Sequence, residues 1–211
     1  MLAWYFAREN NRLNYGDDRL IEIGKTHTVK CAPVLCESGL HGSVQLLDAL
    51  HYAPGPMLYR VDITRNVQIG ADKICGQRRQ YLAGFDATSV LRQFARNQAL
   101  INIEKIKPYC LAGQYELILD WLKTDNPELQ VAAHEAADAA AQSALSTQFD
   151  IGSAARSALY ALYAALSALF AARSAQSALF AARSAAQSAQ SAQSANEMLT
   201  EMVEAALAKS S

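Results

Sequence analysis

The side chains most able to do chemistry crowd into the first third of this chain. His27, Cys31, Cys36 and His41 lie close together. Their gaps match none of the zinc spacings, in which paired ligands sit about two to four residues apart. Structural cysteines and an ordinary loop histidine are therefore expected, with no metal and no other cofactor. Gly24-Lys25-Thr26 invites a phosphate-loop reading, but Arg19 stands where that loop needs its upstream glycine. Arg60, Arg65, Lys73, Arg78 and Arg79 are interspersed with Asp62, Asp72 and Asp86, which predicts a solvated mixed-charge surface. Within it, Arg78 and Arg79 beside Tyr81 form the one spot suited to anion or nucleic-acid contact. The densest polar cluster is Gly39-Leu40-His41-Gly42-Ser43, followed by a short helix that ends at His51-Tyr52. His41, Ser43 and Tyr52 are the candidate ligand-binding residues. On the plainer alternative, Gly39 makes a turn and His41 caps the helix.

These residues need a frame, and the patterning predicts a mixed one. Short β-rich runs are expected at Leu2 to Ala7, Arg19 to Ile23, Thr26 to Lys30 and Met57 to Ile63. The last alternates Leu58, Arg60 and Asp62 against Tyr59, Val61 and Ile63, the period of a half-buried strand. Helices are expected from Ser43 to Tyr52, with Val44, Leu47 and Leu50 on one face, and after Asp86. The second carries Val90, Leu91, Phe94, Ala95, Ala99 and Leu100 inward and Arg92, Gln93 and Arg96 outward. A further apolar helix covers Tyr115 to Lys123, and Asp125-Asn126-Pro127-Glu128 has the residues of a fresh helix start.

From there alanine dominates. The fold class is thus α+β, with a small mixed domain over 1–126 and an alanine-rich, all-helical arm over 127–211. A break near 150–153 is expected, where Gly152 can cap one helix and Ser153 start the next. Residues 167–176 recur almost unchanged as 177–186. Alanine favours helix but buries little area, so this arm cannot hold itself folded in isolation. Leu159, Leu162, Leu166 and Leu169, with Phe170, Leu179 and Phe180, are the expected oligomerisation residues.

Composition narrows the function. The chain has 211 residues, 51% of them apolar, and a net charge of -1. It can bury a core, and it has no global electrostatic reason to bind nucleic acid or an anionic membrane. The N-terminus does not read as a secretory signal, and the four cysteines are expected to be free thiols in a reducing cytoplasm. No stretch is long and apolar enough to predict a membrane span.

Two resemblances follow from these residues. The segment from Leu35 to Gly70, with Gly70-Ala71-Asp72-Lys73-Ile74, Asp86-Ala87-Thr88, Phe94-Ala95-Arg96 and the alanine tail, resembles a phage-associated family of uncharacterised proteins. The Gly-Leu-His segment with its helix and following strand also resembles the glycine-aromatic segment of ADP-ribosyltransferases. There His41 takes the place of the stacking tyrosine. The chain offers no matching first-strand His or Arg and no late-strand catalytic glutamate, so this resemblance implies nucleotide binding without turnover. The reading from sequence is a phage-type accessory interaction protein in the host cytoplasm. It oligomerises through its arm and binds a host or viral macromolecule. The alternatives are a nucleotide-binding, degenerate transferase-like module and a virion structural component.

Overall fold

A computed structural model describes residues 1–14, 16–101, 103–146, 179–183, 186 and 192–210. Contacts divide the chain into two compact units: Met1–Val90 with Gln193–Ser211, and Leu91–Ala192. These divisions differ from the compositional boundary at 126.

The first unit is built on two antiparallel sheets. The larger contains β1 (Leu2–Ala7), β4 (Met57–Thr64), β7 (Arg78–Asp86) and β2 (Thr26–Thr28), in the order β1-β4-β7-β2. The smaller contains β3 (Leu40–Gly42), β6 (Ile74–Gly76) and β5 (Gln68–Ile69), in the order β3-β6-β5. Alternation decides which side chains face inward. Tyr5 pairs with Tyr59, Val61 with Tyr81, Ile63 with Arg79, and Arg79 in turn with His27. Ala3, Ala7, Tyr59, Val61, Ile63 and Tyr81 form a core with Leu13, Ile21, Leu40 and Ile74. The alternation expected in β4 holds for Tyr59, Val61 and Ile63, but Leu58 is buried as well. A register shift between Arg60 and Val61 marks a bulge in the pairing with β7.

The two sheets meet at a narrow seam. Ser43, just past β3, exchanges backbone hydrogen bonds with Trp4 of β1 (2.8 and 3.0 Å), and only Gln77 separates β6 from β7. Small residues are required at this seam. A Cβ on Gly42 would meet Ile63 Cδ1 at 3.0 Å and the Trp4 carbonyl at 3.1 Å; one on Gly76 would meet Ile63 Cγ2 at 2.7 Å and the Thr64 carbonyl at 2.9 Å.

Helix α1 is Leu46–His51, shorter than expected from sequence, and Gln45 rather than Gly42 or Ser43 precedes it. Its buried face is Leu46, Ala49 and Leu50, while Val44 is exposed. Leu50 is inside as expected and Val44 is not, because residues 43–45 are not yet helical. Arg19 to Ile23 is not a strand; Leu20 makes an isolated bridge with Arg12. The C-terminal helix α5 (Ala192–Ser210) belongs to this first unit. Its Asn196 Oδ1 accepts a hydrogen bond from the Leu47 N–H at 3.1 Å, and Leu199 and Val203 are fully buried.

The described elements of the second unit are helices. Helix α2 (Thr88–Ile101) buries Leu91, Phe94, Ala95 and Ala99 as its periodicity predicts. Arg96, expected to face out, is buried instead. Its Nη1 lies 2.5 Å from Asp125 Oδ2 and its Nε donates to the Leu122 carbonyl at 3.2 Å. A distant carboxylate satisfies a charge that helical periodicity assigned to solvent. After a 3-10 segment, Ile103–Tyr109, α3 (Gln114–Thr124) buries Tyr115, Ile118, Trp121 and Leu122. Asn126 caps the next short turn by accepting from the Glu128 N–H, as its sequence position predicts. Helix α4 is Gln130–Ser146. The expected break at 150–153, and Leu159, Leu162, Leu166, Leu169 and Phe170, lie outside the described residues. Leu179 is buried and Phe180 is exposed. No described helix is long and apolar enough to cross a membrane.

Candidate functional site

A cavity of about 600 Å³ opens within the first unit, beside the seam. β1 supplies Trp4, Tyr5 and Phe6 to its wall, the β3 strand and its flanks supply Gly39 to Ser43, and α1 supplies Ala49, with Tyr52 just past its end. Lys73 comes from the turn between β5 and β6, and Arg79 from β7. His41, Ser43 and Tyr52, singled out by sequence, thus line one cavity together with Arg79. Arg78 does not join them. It follows a strand alternation in which Arg78 is exposed and Arg79 buried, so the pair cannot act as one patch.

Arg79 is the chemically decisive group. It is only 2% exposed, and no carboxylate among the described residues pairs with it. A buried charge needs compensation. Here it comes from neutral partners: Nε and Nη2 donate to the Tyr81 hydroxyl at 3.0 and 2.8 Å, and Nη1 donates to the His41 carbonyl at 2.5 Å. The guanidinium also lies 3.6 Å from the Tyr5 ring centroid. These contacts orient the cation without cancelling its charge, and among the described residues no further acceptor takes the remaining N–H groups of the fork. Asp17 lines the cavity too, but Arg19 holds it at 2.5 Å. The hydrogen bond and charge of Arg19 keep the Asp17 carboxyl below the usual carboxylate range.

The histidine beside Arg79 is uncharged at neutral pH. Burial, then the charge of Arg79, depresses the proton affinity of His41, against a smaller opposite pull from the Gly39 carbonyl. Its Nε2 is buried and has no hydrogen-bond partner among the described residues, and Oδ1 of Asn14, another residue of the cavity wall, is in the same state. Orphaned buried polar atoms are uncommon in native proteins, and both of these belong to residues of the cavity wall. His41 does not cap α1, as the plainer sequence reading had it; it is a strand residue paired with Cys75. Gly39 does make the turn, with φ of +108°.

At the mouth, the Tyr52 hydroxyl donates to Asp72, and Lys73 Nζ sits 4.0 Å from the Tyr52 ring centroid. The Tyr52 hydrogen bond holds the Asp72 carboxyl below its ordinary range and raises Lys73 further above its own. Lys73 is therefore a firm cation at the rim. Sequence reasoning weighed it only as part of a surface patch, and it passed over Trp4, Tyr5 and Asn14. The period-2 pattern of Leu2 to Ala7 put Tyr5 on one strand face, but nothing local tied that face to Arg79.

His27, Cys31, Cys36 and His41 do not converge. His27 and His41 lie on strands of different sheets, and no three His, Cys, Asp or Glu side chains among the described residues are gathered to hold a metal. Cys31 and Cys36 are exposed, Cys75 is buried, and all four cysteines are free.

Compared with family models, curated proteins and solved structures, the chain has no match.

Proposed function

We propose that the N-terminal unit is a ligand-binding module whose cavity takes a nucleotide-type ligand without turning it over. The observation that carries this reading is Arg79, a buried cation at a cavity wall with neutral partners only among the described residues. A guanidinium so placed favours a phosphate or other oxyanion, which can supply both the missing charge and the acceptors. Lys73 at the mouth extends the same preference, and Trp4, Tyr5 and Tyr52 supply flat apolar surface for a base. The resemblance to ADP-ribosyltransferases around His41 points the same way.

The test is calorimetric titration of the full chain with ADP and with inorganic pyrophosphate. Binding of ADP is expected, weakened about tenfold by Lys73→Gln, a rim change that removes one charge contact. Absence of heat with both compounds would overturn the reading.

A second reading concerns the arm, which we take to be an all-helical assembly element of a phage-type accessory protein acting in the host cytoplasm on a host or viral macromolecule. Phe180, 65% exposed on a helical segment, favours it. Truncation at Asn126 is unsuitable as a test, because it would remove α5 from the first unit. Light scattering of the full chain and of Phe180→Ser serves instead. A parent oligomer that dissociates in the variant supports self-association, and a monomeric parent removes it.

A further inference from the structure

The network behind Arg79 continues one residue deeper. Tyr81 is fully buried, and its hydroxyl oxygen receives two N–H groups from Arg79. The third partner of that oxygen is His27 Nδ1 at 3.1 Å, with the two rings edge-on at 5.2 Å between centroids. Arg79 has only donors, so the phenolic proton has one acceptor among these partners, the lone pair of His27 Nδ1. The proton of a neutral imidazole must then sit on Nε2. His27 Nε2 is buried and has no hydrogen-bond partner among the described residues, in a residue 3% exposed. The tautomer that serves Tyr81 thus leaves an N–H unpaired on the other side of the ring.

We infer that His27 is a positioning residue that holds Arg79 in its cavity-facing orientation through Tyr81, and that a proton on His27 releases it. With Nδ1 protonated, three N–H groups would converge on one phenolic oxygen, and the phenolic proton would lose its acceptor. One or both Arg79 bonds to Tyr81 must then open, and two cations would flank the same hydroxyl.

The surroundings hold the switch in its neutral setting near pH 7. Arg19 from the preceding loop, Arg79 on β7 and Lys25 just before β2 all disfavour a proton on His27, whereas Asp17, itself paired with Arg19, opposes them weakly. Burial is the largest influence in the same direction. Burial also keeps the Tyr81 phenol protonated, as the argument requires. The change belongs to mildly acidic conditions, below the ordinary histidine range.

The inference rests on the reading of Arg79 as an anion-binding group only for its effect on affinity; the proton arrangement stands apart from it. The experiment therefore has two arms on the full chain. In the first, the nitrogen and proton resonances of the His27 ring are followed by NMR from pH 8 to 5 without ligand. The Nε2–H tautomer is expected at pH 7, and the Arg79 Nε–H signal should broaden or shift as His27 takes up its proton. A proton on Nδ1 at pH 7 would overturn the arrangement, as would an Arg79 signal indifferent to His27. In the second arm, ADP affinity is measured over the same range. The parent should weaken about tenfold as His27 titrates, the loss of one charge-assisted hydrogen bond. His27→Asn places a side-chain acceptor near the Nδ1 position, so it should keep the affinity at pH 7 and lose this pH step. His27→Leu should bind weakly throughout. A pH step unchanged in His27→Asn would refute the switch. Loss of ADP binding in every protein, with the first arm as expected, would refute only the ligand reading.

Discussion

Gly76→Ala tests whether the two sheets pack as described, and its size follows from two distances. An added Cβ would stand 2.7 Å from Ile63 Cγ2 and 2.9 Å from the Thr64 carbonyl. Ile63 is fully buried, and the carbonyl is part of a paired strand, so neither neighbour can swing aside as a long surface side chain would. Relief requires β6 to move away from β4. Overpacking of this kind costs about 1–3 kcal/mol. For a chain of this size each kcal/mol lowers the melting temperature by roughly 2–4 °C, so a drop of roughly 2–12 °C is expected. The assay should report on the first unit alone. Trp4 and Trp121 are the only tryptophans, one in each unit, so Trp4 fluorescence in a Trp121→Phe background follows the right transition. The same variant should weaken ADP binding, because β6 sets the position of β3 through the Cys75–His41 pair. A melting curve within a degree of the background protein would refute the seam packing, and with it the argument that glycine is required there.

Other expectations follow from buried charge. Both His27 and His41 have proton affinities lowered by burial, while in the unfolded chain each titrates near pH 6.5. The unfolded state therefore binds more protons below that value. Stability of the first unit should be fully present above about pH 7.5 and fall on acidification through pH 6, by at most about 1.4 kcal/mol per pH unit for each histidine. Urea unfolding at several pH values checks this, and a stability independent of pH between 5 and 7 would contradict it. In the second unit, Asp125→Asn keeps a residue type that tolerates the left-handed backbone at φ of 55° but removes the partner of Arg96. A loss of about 1–2 kcal/mol is expected, below the range for fully buried pairs because Asp125 is partly open to solvent. It should be visible in Trp121 fluorescence. Tyr59, whose phenol is pushed up to about 12 mainly by burial, should remain protonated in an ultraviolet titration past the pH at which exposed tyrosines ionise.

By itself the sequence determined several local elements and their faces. Period-2 alternation in Met57 to Ile63 placed Tyr59, Val61 and Ile63 inside, and helical periodicity placed Leu91, Phe94, Ala95 and Ala99 inside. The residue types around Asn126-Pro127 marked a helix start, because capping is decided within a few residues. The sequence also drew attention to His41, Ser43, Tyr52 and Arg79 as residue types suited to a site. What it could not determine was their company. Arg78 and Arg79 are equivalent by composition, and only the pairing of Arg79 with Ile63 and His27 buries one and exposes the other. His27 read as an ordinary loop histidine until β2 came to lie beside β7 and set it against Tyr81, distant in sequence. Arg96 looked like a surface charge until the turn after α3 delivered Asp125. Short-range periodicity reports how a segment divides between water and core. The partner that satisfies a buried charge is chosen by contacts between distant segments, and those exist only once the chain has folded.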